Sequence, residues 1–332
     1  MTKHPNRRQT LAGLAAGTAI FGFPAIVRAQ RTRTLTVTSI LGPQSPQARV
    51  WTKMQEEVDK TIGANRLKFN LVAGGVMGGE RQEAEGIKVG TIQGSLSTLA
   101  NLTAWESGGA LFDMPFIFRD EAHINRVMAG PIGQELAGKY LAQGFRTLGF
   151  INYGSRNLLS KTPVVKPEDA RGKRMRVIPS PLHIELWKSL GSNPTQTAIT
   201  EAYNALQTGV VDMMDFTKSG YSQLKLYEVA PNFTETNHIW ALGVMYFSET
   251  WWSGIGADEQ KAIQQAASAS IPHFNAMANE DHEKSMQEAA GRGAKIVKPE
   301  AAAWRSAMKP FWESYAPKIG GMERLMKVVE TA

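Results

Sequence analysis

The chain has 332 residues, of which 42% are hydrophobic and 20% are charged, and it contains no cysteine. This composition is typical of a globular protein and excludes the disordered and fibrous classes. Without cysteine the chain has no disulfide, no thiolate metal site and no cysteine nucleophile. The formal net charge of +7 would suit a nucleic-acid-binding protein only if the basic residues formed a cluster or stripe.

The first 29 residues have the pattern of an export signal. They contain four basic residues and no acid, and an apolar stretch at 11–27 leads to a small-residue end at Val27-Arg28-Ala29. The adjacent Arg7 and Arg8 indicate the twin-arginine route. The alternative is a membrane anchor, but the stretch is near the minimum length for spanning a bilayer and is diluted by glycine and proline.

The charge of the remaining chain argues against nucleic acid as a partner. Removal of residues 1–29 leaves 33 basic and 30 acidic side chains, a net charge of only +3 without a basic cluster. We therefore predict an exported protein of the periplasm that binds no nucleic acid.

Strand and helix patterns alternate through the first part of the mature chain. Runs of β-branched and apolar residues predict strands, and apolar residues at helical spacing predict helices. The strands are predicted at 34–41, 66–75 and 91–102, and the helices at 45–63 and 78–90. This alternation predicts an α/β lobe with a largely parallel sheet, and the run at 145–160 is predicted to cross out of it.

A second α/β unit begins at residue 173. Its predicted elements are strands at 173–180, 194–198 and 210–216, helices at 181–191 and 200–209, and a return strand at 238–248. From Asp258 to about Ala290 the pattern is helical, with a kink expected at Pro272. We predict an α/β, two-lobed fold of the periplasmic-binding-protein type, with hinge strands and one long helix spanning both lobes. Lobe I would comprise residues 30–153 and about 242–280, and lobe II residues 154–241 and about 281–332.

Sequence signatures of enzymes, metals and cofactors are missing from the chain. The six histidines have no metal-ligand spacing, and the glycine-rich "GGVMGGE" lacks the Gly-Lys-Ser/Thr ending of a phosphate-binding loop. There is no Gly-x-Ser-x-Gly elbow. We predict no catalytic residue, no metal and no cofactor, although scattered residues can still assemble a triad.

Two arginines are candidates for binding an anion. Arg156 in "YGSRN" and Arg176 in "MRVIPS" each end a strand-like run, and ligands of open α/β sheets lie beyond the carboxyl ends of strands. The rigid fork of an arginine can bind a carboxylate with two parallel hydrogen bonds. Arg174 lies on the same strand face but at its start, so we expect it to remain in solvent. A surface or interlobe salt bridge is the alternative for both candidates.

Four segments, in order, resemble the periplasmic solute-binding proteins of tripartite ATP-independent (TRAP) transporters. The likeness covers roughly residues 35–310. Its segments are "MGGERQEAEGIKVGTIQG", "FDMPFIFRDEAHINRVMAG", "GSRNLLSKTPVVKPEDARGKRMRVIPSP" and "ITEAYNALQTGVVDMMD". Each segment alone is weakly diagnostic, whereas all four in the family's order are specific.

The resemblance implies two lobes that close on one small organic acid anion, for delivery to the membrane subunits of a TRAP permease. It implies that Arg176 forms the central salt bridge to the ligand carboxylate and that Arg156 supports it. The loop from Thr98 to Asn101 and the segment Asp215-Phe216 occupy positions that line the cleft in relatives.

Departures from the family pattern concern the polarity of the cleft. Phe216 stands where sugar-acid-binding relatives often have asparagine, and Ser45-Pro46 stands where the family often has His-Pro. Together with Trp240, these residues favour a less polar cleft, although Phe216 and Trp240 could equally pack in the hinge or core. We expect a monomer. An ABC-type or sensory binding protein and an exported enzyme acting on an organic acid are the alternatives.

Overall fold

The computed structural model describes residues 32–332. The predicted export signal, with its Arg7-Arg8 pair, lies outside the described residues. Residues 32–332 form one unit by their contacts, built on nine strands and twelve α-helices in this part of the chain.

Lobe I begins with strands and helices in strict alternation. Strands β1 (Arg33–Ser39), β2 (Leu67–Ala73) and β3 (Gly94–Thr98) are separated by helices α1 (Pro46–Ile62) and α2 (Glu80–Val89). Ser45 caps α1 by accepting a hydrogen bond from the Ala48 amide, and Pro46 fits the first helical turn, where its missing N–H has no partner to lose. β1 pairs in parallel with both β2 and β3.

Short helices complete lobe I after β3. They are α3 (Leu99–Leu102), the 3₁₀ segment Ser107–Asp113, α4 (Glu121–Ala129) and α5 (Pro131–Ala142). The strand predicted at 91–102 is shorter than expected, because residues 99–102 form α3, and the sequence analysis assigned no element to residues 103–144. Buried apolar residues of these helices join the largest hydrophobic cluster of the described chain.

Two long strands run through both lobes. β4 (Phe145–Ser160) coincides with the strand predicted at 145–160, and β8 (Asn232–Ser248) is six residues longer at its start than the predicted return strand. They pair antiparallel, with register shifts between Asn152 and Ser155 and between Arg156 and Leu158. The prediction of a largely parallel sheet is therefore wrong at the centre, where β8 also pairs antiparallel with β3.

Lobe II adds three mutually parallel strands to the same sheet, next to β4. Its strands are β5 (Arg174–Val177), β6 (Asn193–Gln196) and β7 (Met213–Phe216), and its helices are α6 (Pro181–Ser189), α7 (Ala202–Gln207) and α8 (Lys218–Gln223). β5 pairs in parallel with β6 and β7, and β7 pairs antiparallel with β4. The strand order is β2-β1-β3-β8-β4-β7-β5-β6, and β9 (Lys295–Val297) pairs with β8.

One long helix connects the lobes, as the sequence predicts. After the short α9 (Glu249–Trp252), helix α10 runs unbroken from Ala257 to Gly291 with Pro272 inside it. Its first half packs against α1 in one hydrophobic cluster, and its second half reaches α8 through a 2.9 Å hydrogen bond from Gln223 to Asp281. A ligand that draws the lobes together therefore acts on β4, β8 and α10 at once.

The chain ends with two helices, the first of which contacts both lobes. These are α11 (Ala301–Tyr315) and α12 (Met322–Val329). Trp304 of α11 donates to the Val165 carbonyl at 2.8 Å, and Trp312 donates to the Pro115 carbonyl at 2.8 Å. The lobe boundaries given by the sequence analysis remain a prediction. No helix between residues 32 and 332 has both the length and the hydropathy of a membrane span.

Candidate functional site

A cavity with an empty volume of about 440 Å³ lies between the two lobes. Residues of lobe I, including Glu80, Thr98 and Asn101, line one side, and residues of lobe II, including Arg176 and Phe216, line the other. A more open cavity of about 730 Å³ adjoins it and shares four lining residues, among them Glu80 and Arg176.

Arg176 is a buried cation without a carboxylate partner in the described chain. β5 is enclosed between β6 and β7, so the Arg176 side chain is only 2% exposed. Its Nε donates to the Thr197 carbonyl at 2.8 Å, and among residues 32–332 no carboxylate forms a salt bridge with it. Burial and the positive charge of Arg156 lower the pKa of Arg176 to about 10, so it remains charged at neutral pH.

Arg156 is also buried, but its charge is already paired. Its Nε and Nη2 donate to the two carboxylate oxygens of Asp215 at 3.0 and 2.6 Å, and Nη2 also donates to the Asp215 carbonyl at 2.8 Å. Burial alone would raise the pKa of Asp215, but the positive charge of Arg156 and its hydrogen bonds hold that pKa well below its ordinary value. Arg156 therefore forms a rigid part of the cavity wall, and its positive charge is largely neutralised by Asp215.

His238 continues this buried chain of polar groups. Its Nε2 lies 3.0 Å from Asp215 Oδ2, and its Nδ1 lies 2.8 Å from Thr236 Oγ1. Because ionised Asp215 can only accept, Nε2 carries the proton, and Nδ1 accepts from the Thr236 hydroxyl. Burial lowers the pKa of His238 despite the attraction of Asp215, so the ring is neutral and fixes the orientation of the Asp215 carboxylate.

On the lobe I side, Glu80 faces the same cavity and is only 5% exposed. Its carboxylate accepts from the Thr98 amide at 3.0 Å and from the Thr98 hydroxyl at 2.8 Å, and the Asn101 amide also donates to it. Burial raises the pKa of Glu80, while the hydrogen bonds from Thr98 and the charge of Arg156 oppose that shift. Thr98 and Asn101 thus line the cavity chiefly as supports of Glu80.

A second acid, Glu83, lies one helical turn further along α2. Glu83 is buried and accepts from the Ser95 hydroxyl at 2.8 Å, while its Oε1 has no hydrogen-bond partner in residues 32–332. Burial raises the pKa of Glu83 to about 7. The Ser95 hydrogen bond opposes this shift, and the nearby charge of Glu80 adds to it. Two buried acids in the first turn of one helix are favourably placed for the helix dipole but costly to ionise together.

Apolar side chains form much of the remaining lining. They are Ile40, Leu41, Ile178, Ile199, Phe216 and Ala241. Phe216 lies against α8 because Gly220 has no side chain, and a Cβ at that position would lie 1.9 Å from the phenyl ring. Tyr153 also lines the cavity, and its buried hydroxyl has no hydrogen-bond partner in the described residues.

Three residues from the sequence analysis lie outside the cavity lining: Trp240, Arg174 and Asp215. Trp240 is partly buried and packs against the largest hydrophobic cluster, whereas its neighbour Ala241 lines the cavity; side chains alternate along β8, so both cannot point into it. Arg174 is about half exposed, at 51%, and forms a bidentate pair with Asp212 at 3.0 and 2.6 Å. Asp215 contacts Arg156 from behind the lining.

Several lining residues were not found by sequence reasoning, chiefly Glu80, Gln47, Tyr153, Ile199 and Thr217. Glu80 had a usable signal, because an acid that directly follows a glycine-rich loop starts the first turn of a helix at the cleft edge. The others had none. No group of three or more potential metal ligands occurs within residues 32–332.

The comparisons with known proteins agree on one class. The chain is 26% identical over 285 residues to the "C4-dicarboxylate-binding periplasmic protein DctP" of Shewanella loihica, covering 85% of this chain and 84% of that protein. It is 27% identical over 319 residues to the protein of the same name from Rhodobacter capsulatus, covering 94% and 95%.

Solved structures show the same fold. A TRAP periplasmic solute-binding protein from Sulfurospirillum deleyianum with bound succinate has a TM-score of 0.86 and 27% identity, covering 91% of this chain and 99% of that one. The sugar acid binding protein of Advenella mimigardefordensis, in complex with galactonate, has a TM-score of 0.86 and 25% identity, covering 91% and 98%.

Residues 37–318 match the family described as "Bacterial extracellular solute-binding protein, family 7". This match spans the lobes, the connecting strands and the long helix that enclose the cavity. The chain therefore belongs to the family 7 bacterial extracellular solute-binding proteins, the solute receptors of TRAP transporters.

Proposed function

We propose that this protein captures an organic acid in the periplasm by its carboxylate and delivers it to the membrane subunits of a TRAP permease. The observation that carries the proposal is Arg176, a cation buried in the interlobe cavity without a carboxylate partner in the described chain. A buried charge is costly unless it is paired. A ligand carboxylate supplies that pair and so favours the closed arrangement of the lobes.

The roles of the surrounding residues follow from their contacts. Arg176 would bind the carboxylate through its terminal nitrogens, because Nε is already used by Thr197. Arg156 and Asp215 would hold the shape of the wall beside it. The Tyr153 hydroxyl, which has no hydrogen-bond partner among residues 32–332, offers one further hydrogen bond to a ligand oxygen. Thr98, Asn101 and Phe216 would contact the ligand body.

Native mass spectrometry of protein purified gently from the periplasm tests this function. We expect a bound mass of one small acid in the wild type, released on denaturation and absent from Arg176→Ala. Unliganded spectra for both proteins, with no acid binding in solution, would contradict the proposal.

Binding without reaction separates a receptor from an exported enzyme. His238, which is buried behind the cavity wall, is committed to Asp215 and Thr236. We therefore expect the bound acid to be recovered chemically unchanged after long incubation with the protein. Appearance of a product that depends on protein concentration would favour the enzyme instead.

A further inference from the structure

We infer that the cavity accepts a monocarboxylate with a largely apolar body and discriminates against dicarboxylates and polyhydroxy acids. This inference rests on the proposed function, since it concerns the same site. It follows from three features of the lining: the number of free cations, the position of Glu80, and the polar groups already engaged.

The lining of the interlobe cavity contains two cations, Arg156 and Arg176. The carboxylate of Asp215 neutralises Arg156 through a bidentate pair. Arg176 alone is left to pair with a ligand. One ligand carboxylate therefore pairs with the remaining cation of the lining, and a second would be buried without a cation.

The adjoining open cavity does not supply the missing cation. Apart from Arg176, its lining holds one basic residue, Arg81. The Arg81 side chain is 52% exposed and lies 3.6 Å from Glu85, so solvent and its own partner weaken its attraction for a ligand.

Across the cavity from lobe II, Glu80 presents a carboxyl group where a second ligand carboxylate would need donors. The three donors around Glu80, from Thr98 and Asn101, already point at its oxygens. Whatever its protonation state, this side chain cannot act as a cation. When it is ionised it repels a second carboxylate through a dry interior.

The body of the ligand meets a wall that is half apolar. Six aliphatic or aromatic hydrocarbon side chains line the cavity. The polar side chains of Thr98, Asn101 and Arg156 are committed to protein partners, which leaves Gln47, Tyr153, Thr217 and the terminal nitrogens of Arg176 as the lining groups that can bind a ligand. A polyhydroxy chain would lose water without recovering an equal number of hydrogen bonds. An apolar chain would gain from the same burial.

Calorimetric titration at pH 7.5 with four six-carbon acids would separate the effect of ligand charge on affinity from the effect of ligand polarity. Hexanoate and adipate differ only in the second carboxylate, as do galactonate and galactarate among the polyhydroxy acids. We expect hexanoate to bind about 100-fold or more tightly than adipate, the scale of a buried charge without a partner. We expect galactonate to bind about tenfold more weakly than hexanoate.

The variant Glu80→Gln tests the reason for this selectivity. It retains the size of the side chain and removes its charge, so we expect the preference for hexanoate over adipate to narrow by about tenfold. A ratio equal to that of the wild type would remove Glu80 from the argument.

Opposite results would overturn the inference while leaving the proposed function intact. Adipate or galactarate binding as tightly as its monocarboxylate counterpart would refute the charge limit, and galactonate binding more tightly than hexanoate would refute the apolar body. If none of the four binds but the native spectrum shows an acid, a second carboxylate or several hydroxyls in that acid would refute it. Absence of any bound acid would refute the proposed function itself.

Discussion

Removal of the Asp215 charge should destabilise the protein far more than removal of a similar charge at the surface. Asp215 and Arg156 are 0% and 2% exposed and are joined by two ion-paired hydrogen bonds of 3.0 and 2.6 Å. Asp215→Asn leaves a guanidinium in the interior without its counter-ion. We expect a loss of about 3–5 kcal/mol in the free energy of unfolding.

Asp212→Asn is the matched control. Asp212 and Arg174 form a pair with the same two distances, but their side chains are 29% and 51% exposed. Water and salt screen this pair, so we expect a loss of about 0–1 kcal/mol. Urea unfolding monitored by circular dichroism, with the slope of each transition compared, measures both.

A double variant identifies the origin of the loss. Arg156→Met with Asp215→Leu removes both charges, so it should recover much of the stability lost by Asp215→Asn. An Asp215→Asn protein within about 1 kcal/mol of the wild type, or a control equally destabilised, would show that burial does not govern this pair.

Further predictions concern stability, the cavity wall and export. Because the pKa of Glu83 is raised to about 7, its contribution to stability is complete below about pH 4.5 and is lost as pH rises towards and through 7; Glu83→Gln should flatten that fall by about 2–3 kcal/mol in urea unfolding between pH 5 and 8. Gly220→Ala should displace the Phe216 ring and weaken acid binding. The Cβ of Gly138→Ala would meet no atom within 4 Å, so this variant should stabilise its helix by up to about 1 kcal/mol. If both variants changed acid binding and stability equally, the packing argument would be refuted. Lysine at both positions 7 and 8 should abolish export in a periplasmic fractionation, and unchanged export would refute the twin-arginine route.

The sequence predicts those parts of the fold in which local pattern and tertiary structure agree. β4 matches its predicted bounds, and α10 differs from its prediction by one residue at each end. Both are long runs, in which the periodicity of the sequence is a strong signal of secondary structure. The antiparallel pairing of β8 with β3 and β4 was not predictable, since partner choice depends on contacts distant in sequence. Helices such as α4 and α5 were missed because they are short and joined closely.

The candidate site was predictable where a charge interrupts an apolar strand. Arg156 and Arg176 were identified in this way, and both line the cavity. Glu80 was not identified, although its position directly after a glycine-rich loop is a usable signal, and only its contacts with Thr98, eighteen residues away, reveal its burial. Trp240 lies outside the lining, and its position was left open by the sequence because β8 is buried on both faces and a continuous apolar run does not indicate which face a side chain takes.

Titration of Arg176 variants with the acid found by native mass spectrometry tests the central claim most directly. A micromolar binder has about 8 kcal/mol of binding free energy, and each hydrogen bond to a charged group contributes about 1.5–3 kcal/mol. Loss of two such bonds in Arg176→Ala should weaken binding by about 100-fold or more. Arg176→Lys should also be clearly impaired, because lysine lacks the bidentate fork. Arg174→Ala, at the exposed start of β5, should bind as the wild type does. Near wild-type affinity for Arg176→Ala with an unchanged unfolding transition would contradict the account.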